Sequence, residues 1–408
     1  IIIIALGGYI MKINFKDEAL LINNELVKMR RDFHEHPELG FEEYRTSKII
    51  KDFLKNENIP YLEVAKTGVC AIIKGMKKEE DKEEKCIALR ADIDGLPMVD
   101  KKVCSYSSKE KGKMHGCGHD AHTTILLGVA KILNKHKDSF SGCVKLFFEP
   151  AEETTGGAPL MINEGVLENP KVDKIVGLHV EETLDVGKIM VKEGVVNAAS
   201  NPFFITIKGR GGHGAYPHMA IDPVVISSHV VLALQTIVSR EIKPVNPAVV
   251  TVSTINGGTA ENIIPDEVKL SGTIRTMTLE DRAYAVKRVK EIVSSICSAM
   301  RGDYEINIKE SYPCLYNDNE TVNLVRESAK TILGEENILE QEAPKLGVES
   351  FAYFALEKPS AFYFLGVRNE AKNIIHSAHN SLFDIDESAL ALGVALQSEI
   401  AFNYLTNR

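Results

Sequence analysis

The sequence predicts an α/β fold: a mixed-sheet catalytic domain interrupted by an inserted ferredoxin-like (βαββαβ) lid unit. Three observations predict it. A chain of 408 residues, 44% of them hydrophobic, holds more than one core usually organises. Short β-branched apolar runs alternate with helical patterns at both ends of the chain, as in sheets with helical crossovers. Between them, from about Asn201 to Tyr312, the pattern reads strand, helix, strand, strand, helix, strand. The expected boundaries are 11–200 for the first part of the catalytic domain, 201–312 for the insertion and 313–408 for the second part.

The elements follow in order. Ile22, Leu26, Met29 and Phe33 recur at helical spacing between Asp17 and Phe33, and Pro37 in "HEHPELG" ends the run. A second helix is expected at "YRTSKIIKDFLKNEN", then strands at "GVCAIIKG" and "KCIALRADIDGLPM". After the histidine-rich "MHGCGHDAH" comes the helical "TTILLGVAKIL", then strands at "GCVKLFFEP" and "VDKIVGLHV", the latter ending at His179. The insertion comprises "FFITIKG", a helix over "DPVVISSHVVLALQTIVSREI", "AVVTVSTI", "EVKLSGTIRT", a helix over "LEDRAYAVKRVKEIVSSICSAM", and "YEINIKE". A helix at "ETVNLVRESAKTIL", a loop "PKLGVESFAYFALEKP", a strand "SAFYFLGV" and a closing helix "ESALALGVALQSEIAFNYL" complete the chain.

Composition excludes several classes. A net charge of -9 argues against a nucleic-acid or anionic-membrane surface, leaving a small molecule as the expected partner. Seven scattered cysteines form no secreted disulfide framework, so a reducing cytoplasm is expected. The opening "IIIIALGGYI" lacks a basic flank and a spanning length, and it precedes Met11; it reads as residues upstream of the natural start, or as an edge strand. The run "KKEEDKEEK" from Lys77 to Lys85 reads as a solvated loop.

The candidate chemistry lies beyond the ends of the strands. Cys117 and His119, held among glycines, can face one divalent ion, with a polar helix-capping loop as the bland alternative. Glu152 and Glu153 follow the strand "GCVKLFFEP", His179 closes another, and His376 and His379 follow the last. Loops beyond the carboxyl ends of parallel strands converge on one crevice, so these distant residues can be neighbours. Cys117, His119, Glu153, His179 and His376 suit two divalent ions, with zinc or manganese expected and cobalt or nickel as further candidates. Such a pair activates water, which implies hydrolysis. Adjacent glutamates rarely ligate one centre together, so Glu152 is read as the general base and acid, although paired glutamates more often form a solvated turn. Asp94 is expected to orient a ligand imidazole, with Asp92 as runner-up, while Asp120 and His122 could be caps or supports. In the insertion, His213 could stabilise a substrate oxyanion, Asn262 precedes a strand within "GGTAENIIPDEV", and Arg275 could pair with a substrate carboxylate.

At these residues the chain resembles the dinuclear metallo-amidohydrolases and peptidases that include aminoacylases, hippurate hydrolases, thermostable carboxypeptidases and hydrolases of indole-acetyl-amino-acid conjugates. The segments that carry the resemblance are "RRDFHEHPELGFEE", "ALRADIDGLPM", "MHGCGHDAHTTILLG", "FFEPAEETTGGA", "GLHV", "GRGGHGAYPH", "GGTAENIIPDEV" and "FDIDESAL". The resemblance implies the same five ligands and Glu152 as acid/base. It also implies a smaller lid domain that mediates dimerisation, so a homo-oligomer is expected. Two departures stand out. The family's "HSP" or "HHP" is replaced by "IHSAHNSLFDIDE", where His376 aligns best and His379 is the alternative. Asp92 stands where the wider superfamily has a histidine, and Cys117 where it has a bridging aspartate. The expected activity is metal-dependent cleavage of the amide bond of an N-acyl-amino acid or short peptide with a free carboxylate, with a carboxypeptidase acting on peptide C termini as the alternative. A redox protein would need a second thiol in a C-x-x-C arrangement, which the sequence lacks.

Overall fold

The computed structural model describes residues 13–78, 84–154 and 156–407. The apolar opening and the middle of the charged run after Lys77 lie outside the described residues. The chain divides into two compact units: one holds the described residues through Val191, Asn319–Glu340 and those from Lys358 onward, and the other holds Lys192–Asp318 and Gln341–Glu357.

The first unit begins with helices α1 (Phe15–Leu21), α2 (Asn23–Glu35) and α3 (Tyr44–Asn56). The single helix expected from Asp17 to Phe33 is thus broken at Ile22, whose backbone N–H turns back to Ala19 and Leu20. Strands β1 (Tyr61–Val64), β2 (Gly68–Lys74) and β3 (Cys86–Asp92) follow, then helix α4 (His119–Lys135), strand β4 (Cys143–Glu149), helix α5 (Ala158–Asn163), and strands β5 (Lys174–Asp185) and β6 (Ile189–Val191).

The second unit opens with β7 (Gly194–Asn197), β8 (Ala199–Lys208) and β9 (Gly212–His213). It continues through helix α6 (Pro223–Thr236), β10 (Ala248–Asn256), β11 (Ile263–Ile264), β12 (Glu267–Thr276), helix α7 (Leu279–Ala299), β13 (Asp303–Ile308) and β14 (Leu315–Asn317). Its main sheet is antiparallel in the order β10-β12-β8-β13. Ile226, Val230 and Leu234 of α6 and Val289 and Val293 of α7 join Phe203, Ile205 and Ile207 of β8 in one core. Asp222 caps α6, accepting from the amides of Val224 and Val225, and Pro223 sits at the first helical position, where its missing N–H costs nothing. The stretch Pro223–Glu241 is long and apolar enough to cross a membrane, yet its inward residues are packed on this sheet.

The chain then returns to the first unit with helix α8 (Asn319–Leu333) and strand β15 (Ile338–Glu340). Helix α9 (Phe351–Glu357) belongs to the second unit and forms where the sequence pattern suggests only a loop, because Phe351, Ala352 and Phe354 are buried. Strand β16 (Ser360–Arg368) and helix α10 (Ser388–Thr406) close the chain.

The large sheet is mixed, in the order β1-β2-β4-β3-β5-β16-β6-β15. Its central strands β4, β3, β5 and β16 are mutually parallel, so their carboxyl ends share one edge. Every residue of β3 and β4 is buried, as two-sided cover by helices demands. Helix α10 is apolar almost all round and packs on α1, α4, α8 and the sheet; burying each Leu, Ile or Phe there contributes about 1.5–3 kcal/mol. Gly128 lets α4 approach it, since a Cβ there would meet Val394 Cγ2 at 2.6 Å and Leu26 Cδ2 at 2.9 Å.

Candidate metal centre

The parallel edge of the central sheet collects the chemistry. Asp94 follows β3, Glu152 and Glu153 follow β4, and His379 follows β16. His179 sits inside β5, which runs on to Asp185 rather than ending at the histidine as the sequence pattern suggests. Gly118 brings Cys117 and His119 alongside. It adopts φ +87°, and a Cβ there would meet Val180 Cγ2 at 2.4 Å, so only glycine lets the start of α4 lie against β5.

The resulting donors are close. Cys117, His119 and His179 form one group, Cys117, Glu153 and His379 a second, and His119, Glu152 and Glu153 a third, with ligand atoms in each group within 4.8 Å of one another. Cys117 Sγ lies 3.3 Å from His179 Nε2, and His379 Nε2 lies 3.1 Å from Glu153 Oε1. His376, the expected fifth ligand, is in none of these groups; it is half-buried, just beyond the bridge between Asn369 and Ile374. The structure thus brings together Cys117, His119, Glu152, Glu153 and His179, and groups His379, rather than His376, with Cys117 and Glu153.

The imidazoles are oriented from behind. Asp94 Oδ1 lies 3.1 Å and its carbonyl oxygen 3.0 Å from His119 Nδ1, which therefore carries the proton. The opposite nitrogen, His119 Nε2, is buried, makes no hydrogen bond among the described residues and lies 4.0 Å from Glu153 Oε1. His179 Nδ1 donates to the Val180 carbonyl at 2.6 Å, which likewise turns the Nε2 lone pair toward Cys117. Asp94 Oδ2 accepts from the Glu153 amide at 3.0 Å, so one carboxylate fixes both His119 and the turn that carries Glu153.

His122 has a different task. Its Nδ1 donates to Asp92 Oδ1 at 2.6 Å and its Nε2 accepts from the Val180 amide at 2.9 Å, which commits both ring nitrogens and defines the neutral tautomer. Burial pushes its pKa down to about 4. Asp92 also accepts from Arg90 Nη1 at 2.7 Å, and Arg90 Nε donates to Glu149 Oε2 at 2.7 Å, both pairs fully buried. Arg90 and Glu149 are not among the sequence-predicted site residues; charges within runs as apolar as "CIALRAD" and "CVKLFFE" are the available signal.

The donor set fits a divalent transition-metal ion. Nitrogen, oxygen and sulfur donors converge, and two imidazoles present lone pairs fixed by hydrogen bonds on their far side. A buried ring nitrogen with no partner is costly unless something else engages it. Burial and the Glu153 carboxylate push the Cys117 thiol well above its ordinary range, so a cation is needed to hold the thiolate.

In the second unit, β9 and β11 pair His213 with Ile263, and Gly214 N donates to the Asn262 carbonyl at 2.8 Å. The exposed His213 ring accepts from the Ala215 amide through Nδ1 at 3.0 Å, which leaves Nε2 as the protonated nitrogen. Arg275 lies on β12, where its Nη1 donates to Ser200 Oγ at 2.7 Å and its Nε to the Leu346 carbonyl at 3.3 Å.

Comparison with known proteins agrees with this chemistry. A thermostable carboxypeptidase 2 from Saccharolobus solfataricus is 38% identical over 95% of this chain and 98% of its own. IAA-amino acid hydrolase ILR1-like 2 from Arabidopsis thaliana is 40% identical over 94% of this chain and 86% of its own. The crystal structure of the Bacillus subtilis YXEP protein, a dinuclear metal binding peptidase from the M20 family, is 33% identical and superposes with a TM-score of 0.81 over 95% of this chain and 100% of its own. The model of Peptidase family M20/M25/M40 matches residues 88–403. The chain belongs to Peptidase family M20/M25/M40 and is a metal-dependent amidohydrolase.

Proposed function

We propose that the enzyme cleaves the amide bond of N-acyl-amino acids or short peptides that carry a free carboxylate. The observation that carries this reading is the close grouping of His119, Glu153 and a second carboxylate, Glu152, around the buried His119 Nε2, which makes no hydrogen bond among the described residues. Cys117, His119, Glu153, His179 and His379 are the proposed ligands of two divalent ions, His379 in place of His376 because it alone of the two reaches Glu153. When bound, such ions lower the pKa of water and polarise a carbonyl oxygen. Zinc or manganese suits these donors, as do cobalt and nickel.

Glu152 takes the proton from the attacking water and delivers it to the leaving amine. Its side chain is buried beside His119 and Glu153, where exchange with bulk water is restricted. Asp94 holds His119 and the Glu153 amide in place. The inserted unit, 201–312 by sequence, is proposed as a ferredoxin-like lid, a reading that the strand order β10-β12-β8-β13 with two helices supports. His213 would hydrogen-bond the substrate carbonyl through its protonated nitrogen, Asn262 would assist it, and Arg275 would receive the carboxylate.

A homo-oligomer through this unit is proposed because Val224, Val225 and Leu232 of α6 and Ile255 of the edge strand β10 are exposed. A cytoplasmic setting suits the seven unpaired cysteines.

The test is a panel of N-acetyl- and N-benzoyl-amino acids, their carboxamide counterparts and carboxyl-terminal dipeptides, assayed with metal-loaded protein and after chelation. Cleavage of the free acids, weaker cleavage of the carboxamides and loss on chelation are expected. Equal turnover of acids and carboxamides would remove the carboxylate requirement. A preference for the dipeptides would favour the carboxypeptidase reading.

A further inference from the structure

The segment Pro37–Glu43 follows α2 and holds none of the proposed ligands, yet it touches both the loop that carries Asp94 and the loop that carries Glu152. Gly95 N donates to the Glu38 carbonyl at 2.7 Å, and Leu39 bridges Gly95 in parallel. A Cβ on Gly40 would meet Ala151 Cβ at 2.9 Å, so the segment lies in contact with the residue before Glu152. Glu43 then closes the arrangement. Its side chain is fully buried, Oε1 accepts from the Ala151 amide at 2.8 Å, and Oε2 accepts from the Thr67 hydroxyl at 2.6 Å.

Ala151 needs such an anchor. It has φ +56°, a left-handed conformation that is strained for a non-glycine residue and persists only where surroundings enforce it. Its carbonyl accepts from Gly156 N at 3.0 Å and Thr154 N at 3.3 Å, which folds the chain around Glu152 and Glu153 into a tight turn. Without Glu43, the Ala151 amide would lose its acceptor in a buried place, and the turn would lose the contact on its incoming side.

We propose that Glu43 is a positioning residue for Glu152, its carboxylate gripping the Ala151 amide and so fixing the left-handed turn that aims Glu152 at the reacting water. The inference rests on the reading of Glu152 as proton carrier. Burial pushes the Glu43 carboxyl up to about 7, and both its neutral and ionised forms retain an acceptor for Ala151. Hydrogen bonding, not charge, is therefore the function assigned to it.

The experiment compares Glu43→Met, Glu43→Gln, Thr67→Val and Glu152→Ala on N-acetyl-L-methionine and N-benzoylglycine, recording kcat, KM and bound metal. Glu43→Met is expected to lower kcat by about 10- to 100-fold, the penalty of a misplaced catalytic group, with KM and metal content unchanged. Glu43→Gln, which keeps an acceptor, should restore kcat to within about threefold, and Thr67→Val should fall between the two. Should Glu43→Met fail to fold, a wild-type kcat in Thr67→Val overturns the proposal. A wild-type kcat in Glu43→Met, or equal losses in Met and Gln, also overturns it. Glu152→Ala separates the two levels: full turnover there sinks the proton-carrier reading itself, whereas an inactive Glu152→Ala beside a fully active Glu43→Met sinks only the role of Glu43.

Discussion

His379 Nε2 lies 3.1 Å from Glu153 Oε1, although 226 residues separate the two. The contact is anchored, because the His379 amide donates to the Gly116 carbonyl at 2.8 Å, next to Cys117, and the residue takes φ +62° to do so. His379→Ala is therefore expected to weaken binding of at least one divalent ion by roughly tenfold or more, and His376→Ala to leave it unchanged. Chelator competition with a chromogenic indicator measures both. Release from His376→Ala and retention by His379→Ala would reverse the assignment.

Arg30 ties together three segments that flank the ligands. Its guanidinium is fully buried, with Nε 2.8 Å from Asp120 Oδ2 and Nη2 3.1 Å from Asp384 Oδ1. Asp120 also lies 2.6 Å from His34 Nδ1. Burial opposes ionisation of Asp120, but Arg30 and His34 hold its carboxyl well below the usual range. Arg30→Met would strand buried carboxylates, a loss of about 3–5 kcal/mol. Urea unfolding of the chelated protein reads that loss without interference from bound metal. A change below about 1 kcal/mol would mean the network is not cooperative.

Much of this was legible before the fold was known, and the reasons are local. Cys117, His119, Glu152, Glu153 and His179 stand at the ends or edges of apolar runs, and parallel strands bring such positions to one side. His376 and His379 could not be separated that way, since both follow β16 and spacing says nothing of which turn faces inward. The left-handed backbone at His379 and its bond to Gly116 accompany the contact with Glu153, and neither has a pattern in sequence. Arg30, Glu43 and Arg90 were hidden because a charge inside an amphipathic helix or apolar strand, or just ahead of a helix, looks solvated until its buried partner is known. Helix α9 was missed because two turns carry too few residues to establish a period.

Cys117 offers a spectroscopic check. A thiolate bound to cobalt(II) gives an intense near-ultraviolet charge-transfer band, and soft sulfur favours such ions over hard ones. Because burial raises the free thiol, the band should appear only as cobalt binds, with release of a proton. Cys117→Ser should abolish it while leaving weaker visible absorption from the remaining donors. A band that survives the substitution would place another cysteine at the centre.

Glu43 also makes a stability prediction with a defined sign. Burial, with a smaller contribution from the nearby Asp94, raises its carboxyl from 4.5 to about 7 against the opposing hydrogen bonds from Thr67 and Ala151. The folded state therefore holds this proton more tightly than the unfolded chain. Its contribution is fully present below pH 4.5 and is lost as the pH rises through about 7. A shift of this size corresponds to about 3 kcal/mol, and Glu43→Gln, which cannot ionise, escapes the loss. Relative to the wild-type protein, the variant should thus gain stability steadily between pH 4.5 and 7 and then level off. Urea denaturation of both chelated proteins across that range gives the difference directly, with the other titrating groups cancelling between them. A difference that stays flat, or falls with rising pH, would show that Glu43 is ionised in the folded protein as readily as in water.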